Sequence, residues 1–309
     1  MTRVQYFFSF VLATISFIAA RSIQQEGVKS YYQELASSFH KEIGFFDLSE
    51  TDAAHYLPMG LQPFSALTSL DTNSMLAISH DSLSLMTYLP QTNAFHYMPA
   101  LNEGTKIIQV AYQDSTVVML DAAQKLYFMD ASLSKAVAEP LNIAQEDATH
   151  KLLCFHPNTS RLLFLKQTEQ GSENKRYAIQ TMRLGSRKIS ETPLFQFEQS
   201  TLLAFIQQTQ DLALDEVFTF DPVSMAVHPQ TNELYILSST GSILTLDQQG
   251  NFLSFQNIDL QQISQPRVLS FDLNGDLLLM DGSVLHPVIL KVRWQKMLPK
   301  KGTLVKQAI

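Results

Sequence analysis

Pro229-Gln230-Thr231-Asn232-Glu233, Leu234-Tyr235-Ile236-Leu237-Ser238-Ser239, Thr240-Gly241, Ser242-Ile243-Leu244-Thr245-Leu246-Asp247, Gln248-Gln249-Gly250-Asn251, Phe252-Leu253-Ser254-Phe255: along this stretch, turn-forming clusters and short apolar runs take turns. Short apolar runs bounded by Gly, Asn, Asp and Pro read as strands joined by tight turns. Gly241 and Gly250 stand where hairpins require a positive φ. With Ser224-Met225-Ala226 ahead of the first turn, the segment reads as a four-stranded antiparallel meander.

The same unit recurs along the chain. Met75-Leu76-Ala77-Ile78-Ser79, Val117-Val118-Met119-Leu120-Asp121, Leu162-Leu163-Phe164-Leu165-Lys166 and Leu277-Leu278-Leu279-Met280-Asp281 match Leu234–Ser238. Each follows an apolar strand, Ser65-Ala66-Leu67, Gln109-Val110-Ala111, Leu152-Leu153-Cys154 and Val268-Leu269-Ser270. Positions 66, 109, 152, 224 and 268 are separated by 43, 43, 72 and 44 residues. A period of that size with several strands per unit is the signature of a β-propeller. The runs barely alternate, as expected of strands covered on both faces by neighbouring blades. The fold expected is all-β, a single β-propeller over 45–294 with five blades favoured over six.

The 72-residue step is 29 residues longer than the 43-residue steps before it. Leu202, Leu203, Phe205, Ile206, Leu212 and Leu214 lie within it at helical spacing, so 199–216 reads as one short helical insertion; a sixth blade is the alternative. The segment 45–57 precedes the first complete unit and is expected to supply the outermost strand of the last blade, closing the ring.

Composition narrows the partners. With 22 basic and 29 acidic residues the net charge is −7, which offers no electrostatic footprint for nucleic acid. Hydrophobic residues at 45% argue against disorder, and a single cysteine excludes a disulfide framework, a Cys-based zinc site and an iron–sulfur cluster. Arg3 followed by an apolar stretch over 4–20, with small residues Ala20 and Ser22 around a cleavage point, is the pattern of a secretory signal over 1–22. The alternatives are an uncleaved membrane anchor, since 17 residues sit at the short edge of a span, and a buried N-terminal helix. Export to the periplasm or the medium is therefore expected, with no other stable membrane insertion. Residues 23–44 read as a polar spacer, with one short helix over 31–40, and 295–309 as a solvated basic tail carrying Lys296, Lys300, Lys301 and Lys306.

The segment Phe220-Asp221-Pro222-Val223-Ser224-Met225-Ala226-Val227-His228-Pro229, continuing through Glu233-Leu234-Tyr235-Ile236-Leu237-Ser238-Ser239, resembles the SdiA-regulated (YjiK-like) β-propellers. Leu153-Cys154-Phe155-His156-Pro157-Asn158 is similar to their third repeat, and Gln265-Pro266-Arg267 before Asn274-Gly275-Asp276-Leu277 to their closing unit. The resemblance spans roughly 45–294 and implies an exported bacterial protein of undefined biochemical activity. The family tends to start a blade's inner strand with an acidic residue and glycine. Here those pairs read Ile108-Gln109, Lys151-Leu152 and Arg267-Val268, so carboxylates that would bind a hard cation or act as an acid–base pair are missing from them.

Other constellations have structural readings. Asp272, Asn274 and Asp276 fit an Asn-Gly turn, and lack the distal Glu of a calcium loop. His80-Asp81-Ser82 are adjacent and cannot converge as a triad, and no Gly-x-Ser-x-Gly elbow exists. His150 and His156 read as strand-end or surface histidines, Cys154 as a buried small hydrophobe, and 169–176 as a solvated hairpin loop. No catalytic residue, metal ligand or cofactor site is assigned. Gln109, Lys151, Ser224 and Arg267 are the candidates for ligand binding near the channel. The function expected is a non-catalytic, monomeric binding protein taking a protein, peptide or glycan; a phytase- or lactonase-like hydrolase at the channel mouth is the alternative.

Overall fold

A run such as Leu234-Tyr235-Ile236-Leu237 is stable as a strand only if both its faces are covered. In the computed structural model Leu234 and Ile236 pack into one hydrophobic cluster and Tyr235 and Leu237 into another, on the opposite face of the sheet. The structure describes residues 46, 52–57, 63–79, 85–98, 105–130, 136–143, 148–170, 174–210, 218–258, 263–283 and 287–294. The leader, the polar spacer with its expected helix, His80-Asp81-Ser82 and the basic tail lie outside them.

The strands are β1 (Ala53–Tyr56), β2 (Phe64–Ser69), β3 (Met75–Ser79), β4 (Leu85–Leu89) and β5 (Ala94–Tyr97). Next come β6 (Ile107–Gln113), β7 (Thr116–Asp121), β8 (Lys125–Asp130) and β9 (Ala136–Asn142). The middle of the chain forms β10 (Ala148–His156), β11 (Arg161–Gln170), β12 (Asn174–Arg183), β13 (Lys188–Ile189), β14 (Phe195–Glu198) and the helix α1 (Gln199–Gln210). The last strands are β15 (Pro222–Val227), β16 (Leu234–Ser238), β17 (Ser242–Leu246), β18 (Phe252–Asn257), β19 (Pro266–Phe271), β20 (Leu277–Asp281) and β21 (Val288–Val292).

They form five antiparallel sheets, β2-β3-β4-β5, β6-β7-β8-β9, β10-β11-β12 with β13 and β14, β15-β16-β17-β18, and β19-β20-β21-β1. The protein is a five-bladed β-propeller. Neighbouring blades share five hydrophobic clusters, one per interface. Burial on both faces is what the near-continuous apolar runs record.

The ring closes through β1, which pairs with β21 in the register Ala53↔Lys291 to Tyr56↔Val288 and forms the outermost strand of the last blade, as the sequence leads one to expect. Asp52 N–H donates to the Lys291 carbonyl at 2.8 Å and Leu57 N–H to the Pro287 carbonyl at 2.9 Å, extending the seam at both ends.

The long step holds no sixth blade. The third blade absorbs residues by lengthening β11 and β12 to 10 residues each, so the pairing reaches Glu169↔Lys175 and Gln170↔Asn174 where a solvated loop is expected over 169–176. Its outer position is divided between β13, paired at Met182 and Arg183, and β14, paired at 176–179. The helix α1 follows, Gln199–Gln210 within the expected 199–216; 211–217 lie outside the described residues. Leu202 and Ile206, four apart and therefore on one helix face, enter the cluster between the third and fourth blades, with Phe205 and Leu203 beside them.

Candidate functional site

Five strands, β2, β6, β10, β15 and β19, stand at the end of their sheets and pack in a closed ring around the centre. Each is paired along one edge only, so five edges of backbone N–H and C=O groups converge on the propeller axis. All five carry a β-bulge at the same place: the register against the second strand skips Ser65, Ile108, Lys151, Val223 and Arg267. These residues immediately precede 66, 109, 152, 224 and 268, so the repeat frame of the sequence is the frame of the bulges. A bulge bends and twists its strand and re-aims the side chains that follow.

Beyond the bulges the inner strands enclose a cavity of about 450 Å³, running to the turns at their C-terminal ends. Three residues past each bulge stand Thr68, Ala111, Cys154, Ala226 and Ser270, all small and all lining the cavity. Their size keeps it open. Gln109, Gln113, Tyr112 and Asp114 add polar groups; Leu153, Phe155, Met225, Val227 and Phe271 add apolar ones.

The four sequence candidates divide. Gln109 and Ser224 line the cavity. The Ser224 hydroxyl donates to the Leu269 carbonyl and accepts from the Leu269 N–H, both at 3.0 Å, and so ties the fourth blade to the fifth. Gln109 occupies the equivalent place in the second blade, is 9% exposed, and its amide has no partner among the described residues. Lys151 and Arg267 are bulge residues and are not part of the lining. Lys151 reaches Asp221 of the next blade at 3.1 Å, and the Arg267 side chain lies against Gly282.

The inner turns are built by capping side chains. Asp71 Oδ1 accepts the Asn73 and Ser74 N–H groups, and Asp272 Oδ1 those of Asn274 and Asp276. In the fourth blade His228 does this work. Its Nδ1 accepts from Gln230 N–H at 3.2 Å and Thr231 N–H at 3.1 Å, which leaves Nε2–H to donate to the Gly275 carbonyl of the fifth blade at 3.2 Å. The ring is fully buried among Phe46, Tyr235, Phe271 and Trp294. Burial holds its pKa below the ordinary value. His156 repeats the cap more weakly, accepting from Asn158 N–H at 3.3 Å.

His150 departs from its expected surface or strand-end place. It lies inside β10, fully buried, with Nε2 at 3.0 Å from Gln180 Oε1. Burial lowers its pKa as well. The run around it is covered on both sides by blades, which the histidine's polarity alone does not reveal.

Further bonds stitch the blades around the cavity mouth. Ser69 Oγ donates to the Phe271 carbonyl, Gln113 Nε2 to the Pro157 carbonyl, Asn158 Nδ2 to Asn232 Oδ1, and Gln230 Nε2 to the Asn274 carbonyl. These bonds tie four of the five blade junctions at the mouth.

Its chemistry is mild. Among the described residues two carboxylates line the cavity, Asp114 and Asp272, and Lys291 lies 2.8 Å from both Asp272 and Asp276. Cys154 is buried, and burial pushes its thiol up to about 12, far from a thiolate nucleophile at neutral pH. Among the described residues no three His, Cys, Asp or Glu side chains gather as a metal site would require. The arrangement is suited to hydrogen-bonding and enclosing a ligand. Sequence reasoning does not single out Gln113 or Ser270. The signal that finds them is the repeat itself, once the bulge position tells which residues of the inner strand reach the centre.

No family model and no curated protein matches this chain. Among solved structures, the glutaminyl cyclase of Myxococcus xanthus is similar at a TM-score of 0.52 with 8% identity, over 80% of this chain and 96% of that one. The WD40 repeats of RRP9 superpose at 0.46 with 10% identity, over 82% of this chain and 100% of that one. A streptogramin B lyase does so at 0.47 with 8% identity, over 78% and 98%. At these identities the likeness is one of fold.

Proposed function

We propose that this is an exported propeller that binds a protein, peptide or glycan at the mouth of its central cavity without chemically changing it. The observation that carries the reading is the lining itself. Small residues on all five inner strands hold open about 450 Å³, a size typical of ligand sites, while the polar groups around it are mostly neutral. Hydrolysis of the phytase or lactonase kind calls for clustered carboxylates or histidines. Among the described residues this cavity offers two carboxylates, one of them engaged by Lys291. The leader-like 1–22 and the resemblance to the SdiA-regulated propellers support an address in the periplasm or the medium.

The test is affinity capture from the native host, with mass spectrometry of what is retained by the wild type and by Ala226→Trp, which fills the cavity from a partly exposed lining position. A species held by the wild type, lost from the variant and recovered chemically intact is the expected result. Recovery of that species in cleaved form would replace binding by hydrolysis. Identical retention by both proteins would remove the cavity from the account. Cell fractionation that finds the protein in the cytoplasm would overturn the export.

A further inference from the structure

An unpaired β edge presents N–H and C=O groups in alternation, and a group that both donates and accepts can satisfy the two together. Among the described residues two side chains answer both halves of that demand. The Ser224 hydroxyl takes the Leu269 N–H and gives to its carbonyl. The Gln124 amide does the same at His150, accepting at 2.8 Å and donating at 3.0 Å. Around the cavity other polar groups are left without such a partner.

We propose that the central cavity holds a neutral saccharide of one or two rings, gripped by Gln109, Gln113, Ser270 and the free edges of the inner strands. This rests on the binding reading given above and names its ligand class. Gln109 is the positional equivalent of Ser224, lines the cavity, is 9% exposed, and has no side-chain partner among the described residues. Gln113 donates Nε2 to the Pro157 carbonyl at 2.9 Å, while its Oε1 is buried with no partner among the described residues. Ser270, 6% exposed, brings a hydroxyl from the fifth blade to the same lining. Gln113 Oε1, buried without a partner, is costly to leave so, and Gln109 and Ser270 present their own uncommitted polar groups to the same cavity.

Three features select the ligand. Charge comes first: Lys151 is paired with Asp221, Asp272 with Lys291, and the carboxylate left on the lining, Asp114, sits in an exposed turn at the rim. A charged ligand would bury its charge without a counter-ion, which is strongly unfavourable. Direction comes second: five edges surround the site, so a ring with hydroxyls on its whole circumference engages several, whereas an extended peptide pairs along one. Surface is third. Phe155, Met225, Val227 and Phe271 alternate with the polar groups, matching the apolar C–H faces of a sugar as the amides match its hydroxyl edge.

The test is calorimetric titration of the protein with neutral disaccharides (maltose, cellobiose, lactose and diacetylchitobiose), beside glucuronic acid, glucosamine and the neutral dipeptide N-acetyl-alanyl-alanine amide. Saturable binding of a neutral saccharide is expected, weakened at least about tenfold by Gln109→Leu with no loss of cooperative unfolding, and weakened likewise by Ser270→Ala, which keeps the test open should the first variant fold poorly. Absence of saccharide binding, preference for a charged sugar or the dipeptide, or indifference to both substitutions would overturn the proposal. If capture still returns a species lost from Ala226→Trp while no saccharide binds, the ligand class fails and the binding reading stands. If both proteins capture alike, the binding reading fails with it.

Discussion

His228 joins the inner turn of the fourth blade to the fifth, so its replacement should weaken the fold in a pH-dependent way. His228→Phe keeps the ring among Phe46, Tyr235, Phe271 and Trp294 but removes three hydrogen bonds, two from N–H groups of its own turn and one to Gly275. At about 1 kcal/mol per bond, less where water can reach the half-exposed turn, the variant should lose about 2–3 kcal/mol at pH 7.5. The pH dependence follows from the lowered pKa. Above the unfolded value of about 6.5 the neutral ring contributes fully; as pH falls below it the unfolded chain takes up a proton that the folded one resists, and stability is lost down to the folded pKa. The slope cannot exceed about 1.4 kcal/mol per pH unit for one group, so the wild type loses up to about 1.4 kcal/mol between pH 7.5 and 5.5 that the variant does not. His55, His150 and His156 also have lowered pKa values but are common to both proteins and cancel. Urea unfolding of both at the two pH values should show the gap between them narrowing on acidification. Equal gaps at both pH values, or a variant as stable as the wild type at pH 7.5, would refute the reasoning.

Gly250 has φ +86°, and a Cβ there would lie 2.4 Å from the Phe195 ring, so Gly250→Ala should cost about 1–3 kcal/mol in thermal unfolding. Gly185, with nothing within 4 Å, should accept alanine within about 0.5 kcal/mol. Deleting 23–57 removes β1 and bares the edge of β21 with Val288, Ile289 and Leu290, so light scattering should report aggregation, whereas deleting 23–40 should be mild; equal tolerance would contradict closure by β1. Millimolar calcium or chelator should leave Tm unchanged, because Asp272 and Asp276 are both spent on Lys291. A reproducible calcium-dependent rise of several degrees would revive the hydrolase.

The blade count was legible because the inner and second strands, buried on both faces, carry the strongest apolar signal and repeat at a fixed distance. The closing strand could be inferred from the ring's need for a partner, although Ala53-Ala54-His55-Tyr56 is weak as a strand taken alone. The outer strands were harder. β13 spans two residues and β14 four, and what identifies them is the length of β12 against which both lie. At the site, the repeat frame picked out Gln109 and Ser224, which line the cavity, and Lys151 and Arg267, which do not, because a one-residue bulge separates the two kinds of position. Spacing cannot tell a bulge residue from its neighbour; the register can. Nor does composition tell that Ser224 is occupied by Leu269 while Gln109 is not.

Hydrogen–deuterium exchange of the protein with and without the species it captures tests the central claim most directly. Binding at the cavity predicts slowed exchange on several inner strands together, over 66–69, 109–113, 153–155, 224–227 and 269–271, with little change on the outer strands. Protection confined to the outer groove lined by Arg176, Phe205, Asn251 and Phe252, with the inner strands unchanged, would contradict it.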